Sequence, residues 1–202
     1  QITVGTLNKL ASSIQTPLKK LVIDIRSNDL PAKALEAVST IVSSCSSSLE
    51  CLTLKLGGFS FKSNKISNAE LAGLSTSISK CNLMSLELDI GNAGLDDECA
   101  KSLSKSFKEK KSLKNLKLNL FANSITGKGM VRFSNSLTTL FLTNLTLNLH
   151  SNPIGDLGVE AISELTKSES IASFSLNLKN VGVKEGRVTE LVAKGNVTEI
   201  SV

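Results

Sequence analysis

The chain has 202 residues, 41% of them hydrophobic, which is enough to bury a real core, and its net charge of +5 is too modest to mark a nucleic-acid binder. Aromatic residues are only 3%, with no Trp and no Tyr, so Leu, Ile, Val and Ala must fill that core, which favours one packing unit used repeatedly. No apolar run reaches the roughly 18 residues of a membrane span, and no basic-then-apolar opening marks a signal peptide.

In chain order, Val4, Leu7 and Leu10 fall on one helical face and predict the end of a truncated unit. Leu18, Leu21, Ile23, Ile25, Asn28 and Leu30 then predict a strand and turn, followed by a helix with Leu35, Val38 and Ile41 on its buried stripe. The second copy opens on Leu49, Leu52, Leu54 and Leu56 and continues irregularly into a helix carrying Leu71, Leu74 and Ile78. Leu83, Leu86, Leu88, Ile90 and Leu95 form the third, with Ala93 where the first copy has Asn28, and its helix carries Ala100, Leu103 and Phe107. The fourth runs Leu113, Leu116, Leu118, Leu120, Asn123 and Ile125, then Met130, Phe133 and Leu137. Leu142, Leu145, Leu147, Leu149, Asn152 and Ile154 form the fifth, then Val159, Ile162 and Leu165. Ile171, Phe174, Leu176, Leu178, Val181 and Val183 form the sixth, and Val197, Ile200 and Val202 open a seventh.

These copies share the pattern L-x-x-L-x-L-x-L-x-x-N-x-I and recur about every 29 residues. Alternation at period two marks a short strand with one buried face, and the later three-and-four spacing marks a helix. Gly129 and Gly158, just before the helical stripes, are expected in tight turns. The second copy is about five residues longer, within 57–65. Either Phe59 and Phe61 hold the Asn and Ile places, or Asn64 and Ile66 hold them and the two Phe protrude as a binding loop; helix spacing favours the second.

The repeat, and the run Asn152-Pro153-Ile154-Gly155-Asp156-Leu157-Gly158, resemble the ribonuclease-inhibitor-like subfamily of leucine-rich repeat proteins. That resemblance implies an α/β horseshoe solenoid with a parallel β-sheet on the concave side and helices on the convex side. It covers residues 1–202 as one domain of about six repeats with partial copies at both ends. Uncapped ends are expected to belong to a larger protein, or to self-associate. A cytoplasmic setting is expected, since Cys45, Cys51, Cys81 and Cys99 lack close-pair metal spacing and read as reduced thiols.

Residues between the strand leucines should line the concave face as columns. Asp24, Lys55 and Asp89 share one column with Asn119, Asn148 and Asn177, and Glu87 neighbours Lys117 in the next. Opposite charges there can pair across strands, and the three Asn can form an amide ladder. Phe121 and His150 stand beside them, and two readings of Phe121 are open: a binding anchor, or a ring folded over the strand end. The candidate partner-binding set is therefore Phe121, His150, Lys117, Asn119, Asn148, Asp24, Lys55 and Asp89. The lysine cluster from Lys105 to Lys117 runs off the end of the third copy's helix into the fourth strand, with Lys110 and Lys111 expected on the outer, helix-side surface.

A single His supports neither a metal site nor a nucleophilic relay, and Thr126-Gly127-Lys128-Gly129 lacks the spacing of a phosphate loop. The expectation is a non-enzymatic recognition or scaffolding module that binds another protein through its concave face. It has no catalytic residues, metal or small-molecule cofactor, and neither membrane nor nucleic acid is its target. The resemblance adds two finer readings, the sensor arm of a nucleotide-binding immune-type receptor and a GTPase activator similar to the Ran GTPase-activating protein.

Overall fold

The computed structural model describes residues 2–14, 17–28, 31, 33–58, 64–108, 110–184, 186, 188 and 197–201. Strands and helices alternate: α1 Val4–Ser13, β1 Lys20–Asp24, α2 Lys33–Ser44, β2 Cys51–Lys55, α3 Asn68–Ser79, β3 Ser85–Asp89, α4 Asp97–Phe107 and β4 Asn115–Asn119. They continue as α5 Gly127–Leu137, β5 Asn144–Asn148, α6 Gly155–Leu165, β6 Ser173–Asn177 and β7 Glu199–Ser201. All seven strands join one parallel sheet in sequence order.

The register follows the repeat. Leu52 lies beside Leu86, Leu86 beside Leu116, and Leu116 beside Leu145, so identical positions stack without slip. A slip of one residue would turn every leucine to solvent, and burial therefore fixes the register. The inner strand residues, such as Leu54, Leu88, Leu118 and Leu147, are fully buried against the helical stripes of Leu74, Leu103, Phe133 and Ile162. Phe107 and Phe133 meet edge to face between neighbouring helices, with centroids 5.9 Å apart. Packed helices need about 8–10 Å each, whereas paired strands need about 4.8 Å, so stacking the units curves the solenoid with the sheet inside. This is the α/β leucine-rich-repeat-like horseshoe anticipated above.

The repeat Asn does the joining. Asn123 Nδ2 donates to the carbonyls of Leu120 in its own copy (2.9 Å) and Ile90 in the preceding one (3.1 Å), and its Oδ1 accepts from the Ala93 and Leu95 N–H groups. Asn152 repeats this one copy on, with Leu149 and Leu120 as acceptors. Asn64 does the same with Leu56 (2.7 Å) and Ile25 (2.9 Å). That equivalence settles the second copy: Asn64 and Ile66 hold the repeat places, and the extra residues lie before them. Phe59 and Phe61 fall outside the described residues, as do Leu30 and Val202.

Three expectations need correction. Gly129 and Gly158 lie inside α5 and α6 rather than in turns, and close packing explains them: a Cβ on Gly129 would strike the Asp97 carboxylate, and one on Gly158 the Ile154 side chain. Leu10 belongs to no buried stripe, being exposed on α1, where Leu7 alone is buried. Lys110 is not on the outer surface. It is 8% exposed, and its ammonium donates to the carbonyls of Ser79 and Cys81, where it caps the end of α3.

Candidate functional site

Each strand presents alternate residues to the open face, and the columns stand as the register requires. The third column carries most of the polar order. Asp24, Asp89, Asn148 and Asn177 each accept, through the side-chain oxygen, the N–H of the residue two places on (3.2–3.3 Å). This is the Asx-turn geometry that ends a strand. The following residue is then left-handed: Ser27, Asn92, Ala122, Ser151 and Asn180 all have φ between 50° and 56°. Its N–H donates to the neighbouring copy, as Asn92 does to the Phe121 carbonyl (2.7 Å) and Ala122 to that of His150 (2.8 Å). These Asp and Asn residues thus build the turn first and the surface second.

Sideways, the column forms a relay. Asn148 donates to Asn119 Oδ1 (2.9 Å), and Asn119 donates to Asp89 Oδ1 (3.0 Å). The ladder predicted for Asn119, Asn148 and Asn177 therefore starts at Asn148 and ends on a carboxylate rather than on a third amide. Asp89, 8% exposed, is the most buried member of the column. Its second oxygen faces Arg26 Nη1 at 3.7 Å. Arg26 also clasps Asp24 through Nε (2.9 Å) and Nη2 (2.6 Å). That hydrogen-bonded guanidinium holds the Asp24 carboxyl below its ordinary range.

Charge pairing across strands thus takes a different form from the one expected. Arg26 joins Asp24 and Asp89, while Lys55, between them in the column, has no carboxylate in ion-pair contact among the described residues. The Glu87–Lys117 pair forms as expected, at 3.2 Å. Together Arg26, Lys55, Glu87, Asp89, Lys117 and Asn148 line a depression of about 300 Å³ in the concave face.

Phe121 and His150 sit at the C-terminal ends of β4 and β5, both half-buried. The Phe121 ring lies against the backbone of Gly91 in the neighbouring copy, where a Cβ would collide with it. The ring has folded over the strand end, sideways rather than onto its own loop, which leaves it one partly open face. His150 Nδ1 is 3.1 Å from the Lys179 carbonyl, and Nε2 is 3.3 Å from Ser151 Oγ. A backbone carbonyl occupies the place that a carboxylate would take in a nucleophilic relay. Among the described residues no three His, Cys, Asp or Glu side chains come together as metal ligands, and no helix is long and apolar enough to cross a membrane. All four cysteines are free. Burial raises the Cys99 thiol to about 11, which removes its nucleophilic form at neutral pH.

Sequence reasoning missed Arg26 as the organiser of this surface, and it missed the rim at the other end of the strands. Met84 and Phe141 are exposed there, at 51% and 56%. The signal for both was present, since each replaces a residue that is polar at the equivalent position in most other copies, such as Lys19, Glu50, Lys114 and Thr143 for Met84 and Ser48, Asn82, Ser112 and Ser170 for Phe141. Periodic leucines nearby drew them into the apolar background.

The family described as Leucine Rich repeat matches residues 141–163, the fifth copy. No curated protein matches the chain. Among the solved structures that match, one titled Leiomodin-1 Actin-Binding Site 2 (ABS2) superposes with a TM-score of 0.52 at 20% identity, covering 79% of this chain and 86% of that one. At that identity the likeness speaks for the shared solenoid fold.

Proposed function

We infer that this chain is a protein-binding module that receives its partner on the concave sheet. The observation that carries this reading is the depression of about 300 Å³ on an in-register sheet, in which Arg26, Glu87, Asp89, Lys117, Asn119 and Asn148 are already held by lateral bonds. Side chains fixed before binding lose little further entropy on contact, so their hydrogen bonds and charges count toward affinity. Lys55, Lys117, Asn119, Asn148 and Asp89 form the polar centre of the site, Asp24 supports it through Arg26, and Phe121 with His150 forms its edge. Mixed charge suits a folded protein surface, because a polyanion would meet Glu87 and Asp89.

Actin is the first partner to test, because the similarly folded solved structure is titled an actin-binding site. Titration of labelled actin with the chain should give saturable binding that Lys55→Glu with Lys117→Glu weakens at least tenfold while circular dichroism stays unchanged. Saturable binding unaffected by that double variant would place the contact off the concave face and end this reading. No described residue favours the finer roles of receptor sensor arm or GTPase activator over simple recognition.

A further inference from the structure

The concave charges are largely engaged with one another, whereas the opposite rim holds charges that are not. At this rim the loops running from each helix into the next strand lie side by side. Ser112 Oγ donates to Asn82 Oδ1 (2.7 Å) and to the Leu83 carbonyl (2.9 Å), and the Lys114 N–H donates to the Met84 carbonyl (2.9 Å). Lys114 Nζ lies 5.9 Å from the Phe141 ring centroid and donates to the Phe141 carbonyl (3.2 Å). Met84, Lys114 and Phe141 therefore make one continuous patch spanning three copies.

Lys80, Lys108 and Lys111 stand exposed on the same loops, and with Lys114 they make four ammonium groups without a carboxylate in ion-pair contact among the described residues. Glu109, outside those residues, is the acidic group that the sequence sets among them, and the lysines outnumber it. Farther along, the rim is already neutralised, since Lys19 pairs with Glu50 at 3.1 Å and Lys167 with Glu164 at 2.6 Å. The excess positive charge coincides with the two exposed apolar side chains.

We propose that this rim is a docking site for an acidic peptide segment carrying a bulky apolar residue, with Met84 and Phe141 taking the apolar side chain and Lys80, Lys108, Lys111 and Lys114 the carboxylates. Two apolar side chains bury too little for stable insertion into a bilayer, where interfacial anchors present a whole helix face. One phenylalanine provides no run of stacking platforms for single-stranded nucleic acid. A peptide needs only an anchor and a charged surround. The site stands apart from the concave face and does not depend on the reading of that face.

Fluorescence anisotropy with the whole chain tests it, using as probes labelled Glu-rich peptides of about twelve residues with a central Leu or Phe. Controls are the same peptides with Ala at the centre, Lys-rich counterparts, vesicles containing phosphatidylserine, and oligo-dT. The acidic peptide with the apolar centre should bind tightest, weaken with added salt, and lose at least fivefold in affinity with Phe141→Ala and with Lys111→Glu plus Lys114→Glu. Lys117→Glu on the concave face should leave it unchanged. Preferential binding of the vesicles or the oligonucleotide, no preference for the acidic apolar peptide, or equal loss in the Lys117 variant would overturn the proposal. Circular dichroism on each variant separates lost binding from lost fold.

Discussion

The smallest structural decisions in this chain are made at a few side chains that join one copy to the next. Asn152 is 1% exposed, donates to Leu149 and Leu120, and accepts from the Ile125 N–H. Asn152→Ala leaves the buried Ile125 N–H without its acceptor and removes one of two donors from each of the Leu120 and Leu149 carbonyls, and should cost about 1–3 kcal/mol in denaturant unfolding. Ala122 offers the opposite opportunity. At φ 51° it holds a left-handed conformation that burdens any residue with a Cβ. Ala122→Gly should therefore stabilise the protein by about 0.5–1 kcal/mol, even after the extra entropy of an unfolded glycine. A fall in the unfolding midpoint would mean that the loop is not held in that conformation in solution. Lys110 shows where single residues escaped the sequence. Composition suggested a solvated lysine run, but one of its members turns inward to the end of α3, and burial lowers its pKa. Long side chains can do this because their stems are apolar, and no periodicity records it.

For whole elements, the sequence showed more. The helical stripes and the strand alternation were legible because each has a fixed period, and α2 to α6 bury the predicted residues. Turn chemistry was harder to read, since the Asp and Asn that end the strands look like surface residues until their two-residue reach to the backbone is seen. Strand faces make a direct test. Leu147 is fully buried and Thr146 is half-buried on the open face, so Leu147→Ala should cost about 2–5 kcal/mol and Thr146→Ala much less. Helix α4 gives a test in acid. Asp96 caps it by accepting the Glu98 and Cys99 N–H groups at 3.0 Å each, chiefly through the Cys99 bond its pKa falls below 3.8, and the ionised carboxylate caps more strongly than the protonated acid. That advantage is complete above the ordinary value and is lost as pH drops through the lowered one. Asp96→Asn keeps a capping oxygen but cannot titrate. Thermal unfolding between pH 5 and 2 should thus show a shallower acid decline in Asp96→Asn than in the parent, and Asp96→Ala should lose about 1 kcal/mol already at neutral pH. Equal acid slopes for parent and Asn variant would remove Asp96 from the account.

Across the whole molecule, stability is a chain of neighbour-to-neighbour contacts. The sheet pairs β1 through β7 strictly in order, and helix packs on adjacent helix, so a lesion is felt first by the copies beside it. Leu118 lies mid-stack, beside Leu88 on one side and Leu147 on the other, whereas Phe174 lies in β6, next to the last described strand. Both are buried, and both Ala substitutions remove a large side chain at a cost of about 2–5 kcal/mol locally. Their reach should differ. In native-state hydrogen exchange, Leu118→Ala should lower protection in β3, β4 and β5 together, because it weakens an interface on each side. Phe174→Ala should lower protection in β5, β6 and β7 and leave β1 and β2 near their parent values, since the intervening interfaces stay intact. If Phe174→Ala exposed β1 as strongly as β6, the stack would be unfolding as one cooperative body, and the neighbour-by-neighbour account would fail. The distinction bears on binding, because the concave depression is built from β1 to β5 and the lysine rim from the loops entering β3 to β5. A variant confined to β6 should therefore disturb both surfaces only at their β5 edge, while one at Leu118 should loosen both more widely.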